Sequence, residues 1–278
     1  MSIKLIALDM DGTALQNDHK TVSGRMRRAM EEAISTGLLL VPTSGRPFTF
    51  LPEPVCSVPG LDYVIASNGA VIYSLKQRRA LWGAYVSGED ALWILRSLPD
   101  SSLAEIWVDG KIRIPDFRTV LSRKQYPNHV IALRQLGEEV GDLLTYVKQH
   151  PENIEKINVP VLTPEERIRF VKLFSGRQGL SVLDTGSGIE LMSAGVTKAS
   201  GLRNLCRLLD EQRQISIKPE EILAIGDSSN DVEMLRESGI GVAMENGEDP
   251  AKQAADHTTL SNLKDGAALA IETYALNR

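Results

Sequence analysis

The sequence predicts an α/β protein with a doubly wound parallel-sheet (Rossmann-like) core and an inserted α+β domain. An apolar run, Ile3–Leu8, is typical of a strand that is buried on both faces of a parallel sheet. Strand and helix patterns alternate near both ends of the chain, whereas the middle has antiparallel hairpin signals such as Asp109-Gly110. We therefore predict a core from residues 1–83 and 190–278 and an insert from residues 84–189.

The core elements are apolar segments that end in polar loops. Ser23 is a favoured N-cap, and the spacing of the apolar residues after it predicts a helix through about Ser35. Asn68-Gly69 favours a tight turn between two short strands. The predicted core strands are Ile3–Leu8, Leu38–Val41, Tyr63–Ala66, Ala70–Tyr73, Ile222–Ile225 and Gly239–Ala243. Four further core helices are predicted. The first follows Pro47, and the second runs from Thr197 to about Asp210. The third ends at about Leu235, and the last runs from about Asn262 to Tyr274.

The insert combines helices with antiparallel strands. Ser87 and Thr163-Pro164 are helix-start signals, and a further helix is predicted from about Glu138 to Gln149. The predicted strands of the insert are Ala104–Val108, Lys111–Ile114, Ile154–Val159, Leu180–Asp184 and Ile189–Met192.

Bulk properties narrow the classes of function. The 278 residues carry a net charge of −5, which argues against nucleic acid as the main partner. We expect neither a secretory signal nor membrane association, because the chain has no basic-then-apolar start and no bilayer-length apolar run. Cys56 and Cys206 lack metal-ligand spacing, which favours a cytoplasmic protein with two reduced thiols.

The segment Asp9-Met10-Asp11-Gly12-Thr13 directly follows the first predicted strand. In open α/β sheets, ligands bind at the carboxyl ends of strands. Two carboxylates at such a place need a compensating charge, and Mg²⁺ prefers oxygen ligands. Because Asp and Gly are also common turn residues, a plain turn is the alternative interpretation.

Further polar side chains follow other predicted core elements. Ser44 follows the second strand, Lys198 lies at a helix start, and Asp227, Asn230 and Asp231 follow a later strand. Each has a structural alternative, because serine is common in turns, lysine is usually solvated and aspartate is a favoured helix cap.

Several motifs together resemble those of one family, and they span nearly the whole chain. They are LDMDGT (Leu8–Thr13), TSGRP (Thr43–Pro47), SNGA (Ser67–Ala70), GVTK ending at Lys198, and GDSSNDVEML (Gly226–Leu235). This set resembles the haloacid dehalogenase-like hydrolases, specifically the Cof-type phosphatases with a large α/β (type C2) cap between the second and third motifs. GVAMEN is similar to the family's GVAMGNA, with Glu245 replacing a glycine.

The resemblance implies a Mg²⁺-dependent phosphoric monoester hydrolase that acts through an aspartyl-phosphate. It assigns the nucleophile to Asp9 and the general acid and base to Asp11. The implied metal ligands are Asp9, Asp11 through its backbone carbonyl, and Asp227. The implied phosphate-binding residues are Gly12, Ser44, Gly45, Lys198 and Asn230, and Asp231 would orient the lysine or the metal waters.

Two other functions remain open at this point. Asp11 separates a phosphatase from the dehalogenases and P-type ATPases of the superfamily, which lack this second carboxylate. A phosphomutase of the phosphomannomutase type would use a similar core and cap, and a non-catalytic sugar-phosphate sensor would keep the pocket without turnover. The expected substrate is a small phosphate monoester, either a sugar phosphate or a phosphorylated cofactor such as pyridoxal phosphate or flavin mononucleotide.

Other polar residues have less definite roles. Arg46 is predicted to be structural, Asn68-Gly69 to be a hairpin turn, and the four histidines to have no chemical role. The polar candidates for substrate contact in the cap are Asp109, Arg113, Lys156, Asn158 and Asp184.

Overall fold

The chain divides into two compact units in a computed structural model, which describes residues 2–99, 102–116, 136–160 and 163–277. The first unit comprises Met1–Arg46, Phe50–Trp82 and Thr197–Arg278, and the second comprises Pro47–Thr49 and Gly83–Val196.

The strands and helices of the described residues are numbered in chain order. The strands are β1 (Leu5–Asp9), β2 (Leu39–Thr43), β3 (Tyr63–Ala66), β4 (Val71–Ser74), β5 (Arg79–Gly83), β6 (Glu105–Val108), β7 (Lys111–Ile114), β8 (Gly137–Glu139), β9 (Ile154–Val159), β10 (Leu180–Asp184), β11 (Ile189–Ser193), β12 (Ile222–Gly226), β13 (Ile240–Ala243) and β14 (His257–Thr258). The helices are α1 (Gly24–Ser35), α2 (Glu53–Cys56), α3 (Gly88–Ser97), α4 (Leu143–Gln149), α5 (Pro164–Ser175), α6 (Lys198–Arg213), α7 (Val232–Glu237), α8 (Asp249–Ala254) and α9 (Gly266–Ala270). Among these helices, none combines the length and the apolar character that a membrane span requires.

The first unit is a doubly wound α/β fold around an eight-stranded sheet, in the order β14-β13-β12-β1-β2-β3-β4-β5. Strand β1 pairs in parallel with both β2 and β12, and β4 is antiparallel to β3. Side chains alternate across β1, so Ile6 and Leu8 pack into one apolar cluster and Leu5 and Ala7 into another. The predicted α/β class with a parallel-sheet core is confirmed.

Helices cover both faces of this sheet because each has one apolar stripe. Helix α1 begins after Ser23, whose side chain accepts a hydrogen bond from the Met26 backbone as the sequence predicted. The buried stripe of α1 packs into the cluster that contains Ile6 and Leu8. Helix α6 contributes Leu202, Leu205 and Leu209 to the opposite cluster.

The second unit is an α+β module around a six-stranded sheet, in the order β10-β11-β9-β6-β7-β8. Its pairs are antiparallel except β7 with β8, and helices α3 and α5 pack against its strands. The sequence-based limit at residues 189/190 falls inside this unit, because β11 pairs with β9 and β10.

The helix predicted from about Glu138 to Gln149 is wrong in its first half. Residues Gly137–Glu139 form β8, and α4 begins only after Asp142, whose side chain accepts a hydrogen bond from the Thr145 backbone. Between them, Gly141 has a φ of +77°, which interrupts a helix. Strands β5 and β14 and helix α8 were not predicted, since each is short and lacks a strong periodic pattern.

The Ser23 cap makes a testable contribution to the stability of the first unit. Replacing Ser23 by alanine should lower the free energy of unfolding by about 1 kcal/mol, because the Met26 N–H loses its acceptor. Urea denaturation of the full chain measures this change. Ser35→Ala, at the exposed end of the same helix, is the matched control and should stay within about 0.5 kcal/mol of the wild type.

Candidate active site

The carboxyl ends of three neighbouring strands meet at one edge of the core sheet. Strand β1 lies between β2 and β12 in the sheet. The register aligns Asp9 with Thr43 on one side and Leu8 with Ile225 on the other. The loops that follow these strands therefore leave the sheet side by side, where α/β folds bind their ligands.

Lys198 joins two of these loops through a pair of buried ion pairs. Its ammonium Nζ lies 2.6 Å from Oδ1 of Asp9 and 2.6 Å from Oδ1 of Asp231. All three side chains are almost fully buried. Burial alone would lower the pKa of Lys198, but the charges of Asp231 and Asp9 outweigh it and raise the pKa above the usual value. Lys198 is therefore a fixed cation, and the alternative of a solvated surface lysine does not apply.

Asp231 organises the loop that precedes α7. Its second carboxylate oxygen accepts hydrogen bonds from the backbone N–H groups of Asp227 at 3.0 Å and Ser228 at 3.1 Å. It makes no side-chain cap to α7. The carboxylate thus connects Lys198 to its own loop and also completes a capping box with Ser228 over Ser229–Asp231, so its contacts fit both the orienting role and the cap interpretation.

Asp9 and Asp227 provide the remaining acidic oxygens. Within the described part of the chain, Oδ2 of Asp9 is buried without a hydrogen-bond partner. Oxygens of Asp9, Asp227 and Asp231 all lie within 4.8 Å of one another. Since both oxygens of Asp231 are already engaged, Asp9 and Asp227 are the groups that can bind a divalent cation here.

The pKa values of Asp9 and Asp227 are both raised, which indicates that the site lacks enough positive charge to stabilise their ionised forms. Burial and the charge of Asp231 raise the pKa of Asp9 well above its ordinary value, although Lys198 opposes the shift. Burial and Asp231 also raise the pKa of Asp227 to about 6. Three carboxylates face one ammonium group, and a bound divalent metal ion would neutralise the excess.

Asp11 makes a different set of contacts. The Arg46 guanidinium donates to both of its oxygens, from Nε to Oδ2 at 2.7 Å and from Nη2 to Oδ1 at 2.5 Å. Nδ1 of His19 lies 2.8 Å from Oδ1. Burial would raise the pKa of Asp11, but the hydrogen bonds and charge of Arg46, with His19, lower it overall. Asp11 is therefore ionised in this arrangement.

Two glycines allow close approach between site groups. Gly12 has a φ of +78°, and a Cβ there would lie 2.3 Å from an oxygen of Asp227. A Cβ on Gly45 would lie 2.9 Å from Oδ1 of Asn68. Both glycines were predicted to bind phosphate, and the structure gives each a steric reason to lack a side chain as well.

Ser44 and Asn230 lie at the same edge of the sheet as Asp9. The buried Ser44 hydroxyl accepts a hydrogen bond from the Arg46 backbone N–H at 3.1 Å. Asn230 Nδ2 donates to Asn68 Oδ1 at 3.1 Å. Together with Lys198, these side chains provide donors that suit an oxyanion.

Five residues contact the site although the sequence analysis gave them no chemical role. Arg46 and His19 contact Asp11, and Asn68 contacts Asn230. Thr13 Oγ1 donates to Asp227 at 3.1 Å, and Asn246 Nδ2 donates to the Gly12 carbonyl at 2.8 Å. All of them except His19 lie within the motifs quoted above, so the sequence could have indicated that they are near the site. Their individual contacts depend on the conformations of the loops and could not be predicted.

The polar candidates of the second unit separate into distinct environments. Lys156 and Asn158 lie on the sheet face of Trp107 and Glu105, with Lys156 Nζ 2.7 Å from Glu190 and Asn158 Nδ2 3.1 Å from Glu105. Asp109 lies in a hairpin turn, Arg113 lies over the Tyr146 ring, and Asp184 pairs with Arg167. Lys156 and Asn158 therefore share one face of the sheet, whereas the register places Arg113 and Asp184 on the opposite face.

Comparisons with known proteins agree with this architecture. The family model described as haloacid dehalogenase-like hydrolase matches residues 6–271. A 5-amino-6-(5-phospho-D-ribitylamino)uracil phosphatase of Bacillus subtilis is 27% identical, covering 99% of this chain and 97% of the relative. An Escherichia coli phosphatase of the same name is 30% identical, covering 96% and 94%. A haloacid dehalogenase-like hydrolase structure from Bacteroides thetaiotaomicron has a TM-score of 0.78 and 27% identity, covering 98% of this chain and 99% of that one.

The chain belongs to the haloacid dehalogenase-like hydrolases. Within that family it is a phosphatase of the Cof type, an enzyme that hydrolyses phosphoric monoesters. The family and the reaction class predicted from the sequence motifs are confirmed.

The raised pKa of Asp227 predicts how the metal-free protein responds to pH. In the folded state this carboxyl keeps its proton up to about pH 6, against an ordinary value of 3.8. Stability should therefore fall as pH rises through this window, because ionisation is disfavoured only in the folded state. Thermal midpoints in chelator measure the slope, and Asp227→Asn should flatten it. Equal slopes in both proteins would contradict the prediction.

Proposed function

We propose that the protein is a Mg²⁺-dependent phosphatase that hydrolyses small phosphorylated metabolites through an aspartyl-phosphate on Asp9. The observation that carries this proposal is the surroundings of Asp9. One of its oxygens is held by the buried Lys198 ammonium, and the other is buried without a hydrogen-bond partner in the described residues. A carboxylate fixed in this way, with Asp227 nearby, is suited to attack a metal-bound phosphate group.

The reaction has two steps. Asp9 would attack phosphorus and expel the alcohol, and water would then cleave the acyl phosphate and restore the carboxylate. Lys198, Ser44 and Asn230 would hold the phosphoryl oxygens during both steps. A Mg²⁺ ion, held by Asp9, Asp227 and the Asp11 backbone carbonyl, would supply charge neutralisation when bound.

Asp11 would protonate the leaving oxygen in the first step and accept a proton from water in the second. The first step needs a protonated carboxyl, whereas the contacts with Arg46 and His19 favour the ionised form. Asp11 must therefore exchange the Arg46 contact for the leaving-group oxygen before it can act as the acid.

We propose that the substrate is a phosphorylated sugar or sugar alcohol, free or part of a cofactor or cofactor precursor. Two relatives that span nearly the whole chain are named for a phosphorylated ribityl-pyrimidine. The second unit would act as the cap that selects the leaving group, with Lys156 and Asn158 on the selective face. The proposed compartment is the cytoplasm, where Cys56 and Cys206 remain free thiols.

Asp9→Asn should abolish turnover because it removes the nucleophile. The loss in kcat should be on the order of 10⁴ or more, as for other covalent catalysts. Asp11→Asn should also lower kcat severely through loss of the acid and base. Release of phosphate from an aryl phosphate measures kcat in both variants. In the wild type, mass spectrometry should locate a trapped phosphoryl group on Asp9. Phosphate transferred to another residue would argue against the scheme.

Activity should depend on Mg²⁺, because Asp9, Asp227 and Asp231 lie too close to accept a phosphate dianion unaided. Ca²⁺ should inhibit, since it takes more ligands in a looser geometry. Steady-state assays with chelator and with each ion measure this. Full activity in excess chelator would show that the acidic cluster does not serve a metal ion.

Asn158→Ala should change kcat/KM among natural phosphates much more than it changes turnover of a small aryl phosphate. The leaving group of a small aryl phosphate is too small to make many contacts with the second unit. Asp184→Ala is the matched control, because Asp184 is an exposed partner of Arg167 away from the shared face. A panel of phosphorylated metabolites provides the measurement. The same substrate ranking in both variants would remove Asn158 from substrate selection.

A further inference from the structure

The turn between β3 and β4, Ser67–Gly69, contacts two loops of the site and the start of helix α6. The Asn68 backbone N–H donates to the Ser44 carbonyl at 3.0 Å, and the Ser67 N–H donates to the Arg46 carbonyl at 2.8 Å. The Asn68 side chain accepts from Asn230 Nδ2 at 3.1 Å. This short turn thus touches the loops that carry Ser44 and Asn230.

The third contact is with the start of α6. A Cβ on Gly69 would lie 2.0 Å from the Thr197 carbonyl oxygen, and one on Gly201 would lie 2.8 Å from the Gly69 Cα. The backbone of the turn therefore packs directly on the first turn of the helix that begins with Lys198. All three side chains proposed to hold phosphoryl oxygens therefore lie on segments that contact this one turn.

We infer that Asn68 is a positioning residue for the phosphoryl pocket, acting through the hydrogen bond that holds the Asn230 side chain. The inference rests on the proposed function, because its object is a phosphate site. Asn68 is buried and left-handed, with a φ of 57°, a conformation that asparagine tolerates better than most residues. Its amide therefore lies in a fixed place between two loops.

A substitution at Gly45 would test the Asn68–Asn230 hydrogen bond independently. A Cβ at this position would lie 2.9 Å from Asn68 Oδ1, and φ at Gly45 is not positive, so alanine meets no backbone strain. The added methyl group must displace the Asn68 amide, since that atom is its nearest neighbour. Gly45→Ala therefore disturbs the same hydrogen bond from the opposite side.

The test measures binding of inorganic phosphate by calorimetry in the presence of Mg²⁺. Asn68→Gly removes the amide and keeps the left-handed backbone, so the fold should persist. We expect phosphate affinity to fall about tenfold, the scale of one lost buried hydrogen bond that orders a binding group. Asn153→Gly is the matched control, since Asn153 has the same φ of 57° and lies in the second unit. Its phosphate affinity should equal that of the wild type.

Double-mutant cycles distinguish positioning from general destabilisation. Asn68→Gly should have little further effect in an Asn230→Ala background, and Gly45→Ala little further effect in an Asn68→Gly background. Independent, multiplicative losses in both cycles would overturn the inference. So would an Asn68→Gly variant with a lower thermal midpoint and unchanged phosphate affinity.

Failure of the inference and failure of the proposed function give different results. If the wild type binds phosphate and hydrolyses aryl phosphates while Asn68→Gly binds phosphate equally well, only the role of Asn68 is wrong. If the wild type binds phosphate without hydrolysis and Asn68→Gly binds it more weakly, the role of Asn68 stands and the phosphatase proposal fails. A wild type that binds no phosphate would overturn both.

Discussion

The buried ammonium group of Lys198 is the interaction on which the rest of the site depends. A charged group without exposure to water persists only when it is paired, and Asp9 and Asp231 each lie 2.6 Å away. Breaking a buried pair of this kind by removing one partner typically costs about 3–5 kcal/mol. The lysine therefore fixes the start of α6 against β1 and against the loop after β12, which are distant in sequence and adjacent in space.

The same constraint explains why the carboxylates divide their tasks. Asp231 uses one oxygen on Lys198 and the other on backbone amides, so it completes a framework. Asp9 also engages Lys198 but keeps its second oxygen inside the site. Asp11 lies apart, held by Arg46 and His19. Three chemically identical groups thus differ in availability because of their neighbours, and the same neighbours raise the pKa of Asp9 and lower that of Asp11.

Much of the fold follows from the sequence because its signals are local. Apolar runs and capping residues such as Ser23 and Thr163 indicate elements without reference to distant parts of the chain. The motif loops also indicate the main site residues, since parallel strands bring their carboxyl ends together. The two hydrogen bonds from the Arg46 guanidinium to Asp11 could not be predicted in this way, because they depend on the conformations of two loops whose residues are 35 positions apart. The Asn68–Asn230 contact spans 162 residues and has the same limitation.

The pairing of Lys156 with Glu190 has a consequence for how such an enzyme changes over evolutionary time. The Lys156 side chain has no exposed surface, and its Nζ lies 3.5 Å from the centre of the Trp107 ring. Loss of Glu190 alone would remove the carboxylate that lies 2.7 Å from the buried ammonium, and loss of Lys156 alone would remove the cation that this carboxylate contacts. Related chains that differ here should therefore differ at both positions together, with an apolar pair as the natural replacement. Divergence of this face would then proceed by coupled exchanges, whereas Asp184 and Arg167, at the surface, can drift singly.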